Sequence, residues 1–213
     1  EYLHSLFAGD VEGFGRVWEC PNFFPLDEKH VLIISPEPLG KVFYFVGEYR
    51  DHRFYPESHG LIDSGSNYYA PQSQEDENGR RILCGWMPEA RSMDSCRRNG
   101  WAGVLSLPRE LSLSPEGVLL QKPVEELKKL RQEKSGIRDL VLEAKVEKVL
   151  NDVQGRQLEI KVEFQPEGAA VFGLHLARSK DGEEKTAILY DALAGLLTVE
   201  RAHSSLDPET ECH

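Results

Sequence analysis

The chain has 213 residues, 40% of them hydrophobic and 29% charged, enough apolar material for one large domain or two small ones with a real core. Its formal charge of −11 argues against phosphate backbones and anionic bilayers as partners and leaves a small, neutral, hydroxyl-rich ligand compatible. The longest apolar runs are too short to span a bilayer, so neither nucleic acid nor membrane is an expected partner.

The chain opens on Glu1-Tyr2-Leu3, without Met and without a basic stretch leading into an apolar one, and reads as the middle of an open reading frame. Residues 1–121 then carry short runs rich in β-branched and aromatic side chains: Val31–Ile34, Lys41–Glu48, Arg81–Trp86 and Trp101–Leu107. Turn signals separate them, among them Asn78-Gly79, a hairpin pair, and Pro115-Glu116-Gly117. This is the texture of a propeller, barrel or sandwich.

Residues 122–134 change character. Pro123 suits a first helical turn, Glu125 and Glu126 suit its positive end, and Val124, Leu127 and Leu130 form a stripe, so a short helix is predicted to link two domains. From residue 135 the period is two. Leu140, Leu142, Ala144 and Val146 alternate with Val141, Glu143 and Lys145, and Leu158, Ile160, Val162 and Phe164 alternate with Glu159, Lys161 and Glu163. Further strands are predicted at Ala169–Arg178, Thr186–Tyr190 and Leu196–Arg201, making residues 135–213 a small β-sandwich, incomplete at its end.

The cysteines are Cys20, Cys84, Cys96 and Cys212. Their spacing makes neither a CxxC pair nor a disulfide framework, and unpaired thiols fit a reducing compartment. The seven histidines are scattered without ligand spacing and no Gly-rich phosphate loop is present, so neither metal nor cofactor is expected.

The densest chemistry is in Trp18-Glu19-Cys20-Pro21-Asn22-Phe23-Phe24. A glutamate is ordinarily a solvated surface residue. Bulky rings around a carboxyl group, however, exclude water and favour its neutral form, which a general acid needs. Three later stretches stand out beside it: Asp63-Ser64-Gly65-Ser66-Asn67-Tyr68-Tyr69-Ala70-Pro71-Gln72, Arg81-Ile82-Leu83-Cys84-Gly85-Trp86-Met87, and Gly100-Trp101-Ala102-Gly103-Val104-Leu105-Ser106-Leu107-Pro108-Arg109-Glu110-Leu111. Together the four resemble, in order, conserved blocks of glycoside hydrolase family 32, the invertases and sucrose-6-phosphate hydrolases.

The resemblance implies an all-β chain: the C-terminal blades of a five-bladed β-propeller in 1–121, the linker helix in 122–134 and a partial β-sandwich in 135–213. It implies cleavage of β-fructofuranosides, sucrose or sucrose 6-phosphate, with retention of configuration. Retaining enzymes place two carboxyls about 5–5.5 Å apart, one attacking the anomeric carbon and one serving as acid, then base. Glu19 matches the acid/base. A fructosyltransferase of the same family, or a propeller fragment that binds carbohydrate without catalysis, remains an alternative. The family's nucleophile block, Trp-x-Asn-Asp-Pro-Asn-Gly, is absent from the sequence. Its Arg-Asp-Pro block is absent too, because Arg50-Asp51-His52 lacks the proline and follows Glu19. The expectation is a fragment truncated at both ends, inactive alone, cytoplasmic, or extracellular where a parent chain supplies a leader.

Further candidates come from position in the matched blocks. Trp18 and Cys20 flank the acid/base and are candidate substrate contacts, with Cys20 also expected to pack beside Glu19. Asp63 is either an Asx-turn former or a polar neighbour of Glu19. Tyr68 and Tyr69, being adjacent, point to opposite faces, one to the core and one toward the channel; adjacency does not say which, and Tyr69 is named as the candidate sugar contact. Trp86 is either core or a wall of the fructose pocket. Trp101 is expected in the core. Arg91, Arg97 and Arg98 offer charge for a 6-phosphate but are expected to face solvent.

Overall fold

A computed structural model describes residues 2, 4–7 and 13–210, which divide into two units, residues 1–89 with 96–127 and residues 90–95 with 128–213; Cys212 lies outside the described residues. The chain is nearly all-β, with 40% strand and 6% helix.

In the first unit, β1 (Val17–Leu26), β2 (Lys29–Glu37), β3 (Phe43–Arg50) and β4 (Arg53–Leu61) form an antiparallel meander in chain order. The β3–β4 turn places Asp51 and His52 at φ 51° and 60°, so two non-glycine residues adopt the left-handed backbone that a two-residue hairpin requires. The unbroken apolar run in β2 follows from burial on both faces. Val31 and Ile33 join Val42, Val46 and Phe24 in one cluster. Leu32 and Ile34 join Phe45 and Phe54 in another, covered by Phe7, Phe14 and Trp18. A strand wet on one side would alternate; one covered on both sides does not.

The second sheet holds β5 (Tyr69–Glu75), β6 (Arg81–Met87), β8 (Arg109–Leu113) and β9 (Leu119–Pro123), with the two-residue β7 (Val104–Leu105) paired to β6. Asn78-Gly79 does sit in the β5–β6 hairpin, where the Asp76 carboxylate accepts from the N–H groups of Asn78 and Arg80. Arg80 answers with its own side chain, reaching Asp76 at 2.7 Å and Glu126 at 2.7 Å, which pins the hairpin to the segment after β9. Tyr68, just before β5, with Leu83, Leu111 and Leu119 from this sheet, completes the cluster containing Val31, so one core joins both sheets.

Several elements differ from the expectations. Only Val104 and Leu105 of Trp101–Leu107 form a strand, and Trp101 is 54% exposed, not core. The predicted linker helix is a single 3₁₀ segment, Glu125–Leu130, and Pro123 ends β9. Its stripe had a helical period, but only Val124 is buried, and a short polar segment without a face to bury does not sustain an α-helix. A short helix, α1 (Met93–Asn99), forms where none was predicted, burying Cys96 and leaving Arg97 and Arg98 exposed in its last turn.

The second unit contains one three-stranded antiparallel sheet of β10 (Val171–Leu176), β11 (Thr186–Asp191) and β12 (Leu196–Glu200), close to the predicted bounds. The alternating stretches Leu140–Val146 and Leu158–Phe164 make no ladder among the described residues. Alternation marks a segment that can present one apolar face, but a strand exists only when its N–H and C=O groups find a partner edge.

Candidate active site

Glu19 lies on β1 at a break in strand pairing. Glu19 faces Ser35 and Asn22 faces Ile33, so two residues of β1, Cys20 and Pro21, stand against one of β2, Ile34, and Cys20 at the break has φ 47°. Without the bulge, Trp18 and Phe24 would share a face. With it, Trp18 and Phe23 both enter the cluster of Leu32 and Ile34, while Glu19 and Phe24 fall on the side of Ser35, Ile33 and Val31. The extra residue therefore puts Phe23, not Phe24, on the side of Trp18, while Glu19 stays exposed on the other side.

β5 repeats the device. Its pairing with β6 shifts between Tyr69 and Gln72, and Ala70, followed by Pro71 as Cys20 is by Pro21, also has φ 47°. A left-handed non-glycine residue costs on the order of 1–3 kcal/mol, a strain that persists only where the surroundings impose it. Here they do: Ala70 N–H donates to Ser35 Oγ at 3.1 Å, Gln72 Nε2 to the Cys20 carbonyl at 3.2 Å, and Ser73 N and Oγ both donate to Asn22 Oδ1. These bonds lock the bulge of β5 against that of β1.

The outcome is a polar node. The Tyr69 hydroxyl lies 3.0 Å from Glu19 Oε2, 3.1 Å from Glu37 Oε1 and 2.9 Å from the Ser35 carbonyl. Burial, then hydrogen bonding to the two acids, pushes the Tyr69 phenol well above its ordinary value, so Tyr69 is a donor at any physiological pH. Trp86 is the direct cross-strand partner of Tyr69, which puts both rings on one face, and 48% of Trp86 is exposed. Its indole is backed by Gly103 at φ 66°, where a Cβ would lie 2.5 Å from Nε1, so only glycine allows this approach.

The remaining candidates sort by contact. Cys20 is exposed beside Glu19, and Cys20, Cys84 and Cys96 are free thiols. Trp18 sits in the core on the opposite side of β1 from Glu19, its indole N–H donating to the Phe14 carbonyl and its ring stacked on Phe45. Of the tyrosine pair, Tyr68 is the buried one and Tyr69 the one that reaches Glu19. Both oxygens of Asp63 are engaged: Oδ1 accepts from Gly65 N–H and Oδ2 from Arg109 Nη2, each at 2.8 Å. Arg109 in turn lies over the Tyr68 ring at 4.4 Å. The structure thus brings Glu19, Tyr69 and Trp86 to one edge and gives Asp63 turn and ion-pair partners. Glu37 and Ser35 are members of the node that sequence reasoning passed over. The repeated pattern of a polar side chain, one residue and then proline, in Glu19-Cys20-Pro21 and Tyr69-Ala70-Pro71, was the available signal for the paired bulges.

Comparison with known proteins gives the family of the chain. Residues 2–123 match the glycosyl hydrolases family 32 N-terminal domain and residues 126–212 the family's C-terminal domain. The chain belongs to glycosyl hydrolases family 32. It is 34% identical over 177 residues to a sucrose-6-phosphate hydrolase of Escherichia coli, an alignment covering 77% of this chain and 36% of that protein. To the sucrose-6-phosphate hydrolase of Staphylococcus xylosus it is 32% identical, covering 95% of this chain and 43% of that protein. Among solved structures, a Bombyx mori β-fructofuranosidase of the same family superposes with a TM-score of 0.67 at 26% identity, covering 96% of this chain and 44% of that one. The chain thus spans less than half the length of these relatives. The neighbours have the family's propeller plus β-sandwich fold, the all-β class to which this chain belongs.

Proposed function

We propose that this chain is the acid/base-bearing part of a β-fructofuranosidase that cleaves sucrose or sucrose 6-phosphate by a retaining double displacement. The observation that carries the reading is the convergence of side chains from three separate sequence blocks, Glu19, Tyr69 and Trp86, at one exposed edge. Glu19 would protonate the leaving oxygen, then take a proton from the incoming water. Trp86 would offer its half-exposed face to the fructose ring. The names of the relatives, sucrose-6-phosphate hydrolase and β-fructofuranosidase, support this substrate class. The two-carboxyl mechanism also needs a nucleophile, and Glu37 is not assigned that role, since it is held with Glu19 on the same Tyr69 hydroxyl. The matching Asp belongs to a block that this sequence does not contain. Three free thiols favour a reducing, cytoplasmic compartment.

The test has two arms. The 213-residue chain alone is expected to release no fructose from sucrose or sucrose 6-phosphate; retaining turnover by it would refute the missing-nucleophile reading. In a polypeptide that carries the Trp-x-Asn-Asp block, Glu19→Gln is expected to lower kcat by about 10²–10⁴-fold. An unchanged kcat would remove Glu19 from the acid/base role.

A further inference from the structure

We propose that Glu37 is a positioning residue for Glu19, the two carboxylates alternating as acceptors of the single Tyr69 hydroxyl proton. This deepens the proposed function and rests on its acid/base reading of Glu19. A phenol carries one proton and can donate to one strong acceptor at a time. Tyr69 Oη has three within reach: Glu19 Oε2 at 3.0 Å, Glu37 Oε1 at 3.1 Å and the Ser35 carbonyl at 2.9 Å.

The arrangement suits a group that must be acid in one half-reaction and base in the next. While Glu19 holds its proton, ready for the leaving oxygen, the Tyr69 proton turns to Glu37. Once Glu19 has passed its proton to that oxygen, the Tyr69 proton turns to the new carboxylate and stabilises it. When water gives a proton to Glu19 in the second half-reaction, the Tyr69 proton returns to Glu37. It never leaves the phenol oxygen, so proton count is conserved at every stage and only one C–O bond rotates.

Glu37 is needed because the Ser35 carbonyl is neutral. A hydrogen bond to a carboxylate is roughly twice as strong as one to a neutral acceptor, so Glu37 holds the proton away from a protonated Glu19 more firmly than Ser35 does. Its backbone is fixed for the task. Arg16 N–H donates to the Glu37 carbonyl at 2.8 Å, and Gly15 packs so closely that a Cβ there would lie 2.6 Å from the same oxygen. The charged groups that act on the Tyr69 phenol are both acidic, Glu19 from β1 and Glu37 from the end of β2. From β5 and β6, Gln72 bonds the Cys20 carbonyl and Trp86 pairs with Tyr69, and neither side chain titrates.

The test is a pH titration of the 213-residue chain labelled with tyrosine ¹³Cζ, followed by NMR, with Tyr69→Phe assigning the Tyr69 resonance. In the unsubstituted chain the Tyr69 signal is expected to move through the acid range, as the phenol hydrogen bond responds to its two carboxylate acceptors. Glu37→Gln is expected to reduce that movement to the response to Glu19 alone. An acid-range titration unchanged by Glu37→Gln would overturn the proposal. So would the absence of any acid-range movement in the unsubstituted chain, a result that stands even where the variant fails to fold. The readout needs no substrate, so failure of fructoside hydrolysis would count against the proposed function alone.

Discussion

Replacing Asp63 by Ala is expected to destabilise the first unit by about 2–2.5 kcal/mol. The figure follows from two hydrogen bonds, Gly65 N–H to Oδ1 and Arg109 Nη2 to Oδ2, both at 2.8 Å. A hydrogen bond to a charged group is worth about 1.5–3 kcal/mol when buried, and an exposed ion pair about 0–1 kcal/mol. The Asp63–Arg109 side chains are 26% and 25% exposed, which places the pair between these limits, at about 1–1.5 kcal/mol. The turn bond to Gly65 adds about 1 kcal/mol. Arg109 keeps Gln121 and the Tyr68 ring, so it is not stranded and no larger penalty arises. Asp63→Asn retains an acceptor for Gly65 and is expected to lose about half as much. Urea denaturation followed by tryptophan fluorescence measures the effect, because all three tryptophans lie in the first unit. The gap between the natural chain and Asp63→Asn should narrow in about 0.5 M salt, where charges screen over a few ångström. An Asp63→Ala midpoint within about 0.5 kcal/mol of the natural chain would refute the reasoning.

Gly85→Ala should cost about 1–3 kcal/mol in the same assay, since its Cβ would stand 2.4 Å from Cζ of the buried Tyr68 ring; an unchanged midpoint would mean that the ring shifts freely. His30, stacked on Phe23 and packed beside Tyr49, has its pKa lowered by burial, so the folded chain prefers the neutral ring. The unfolded chain then binds the proton first, and stability is expected to fall as pH drops from about 6.5 through the lower folded value. His30→Gln should flatten that part of the stability profile, and an identical profile between pH 7 and 5 would show that other groups set it.

Elements with strong local signatures were legible. Lys41–Glu48 overlaps β3, Arg81–Trp86 lies in β6, and the Asn78-Gly79 hairpin and the three strands after residue 169 stand where pattern placed them. Period and turn chemistry are local properties, so a single sequence carries them. Elements whose existence depends on a partner were not. Leu158–Phe164 has a clean alternation and no ladder, whereas β1 has a broken alternation and is a ten-residue strand. The break is the bulge itself, a feature that side-chain pattern misreads because it inserts one residue into a period of two.

The same division runs through the site. Sequence alone identified Glu19 as the group to watch, through the match of Trp18-Glu19-Cys20-Pro21-Asn22-Phe23-Phe24 and three later blocks to one family, since residue identity and order are all that such a match needs. It could not say which of Tyr68 and Tyr69 faces Glu19, because adjacent residues differ only in the side of the strand they occupy. Nor could it join Glu37 to Glu19, eighteen residues apart on different strands and outside any motif. Those assignments follow from two bulges and the bonds that lock them together, and hydrogen bonds between Asn22 and Ser73 or between Ser35 and Ala70 exist only once the two sheets have packed.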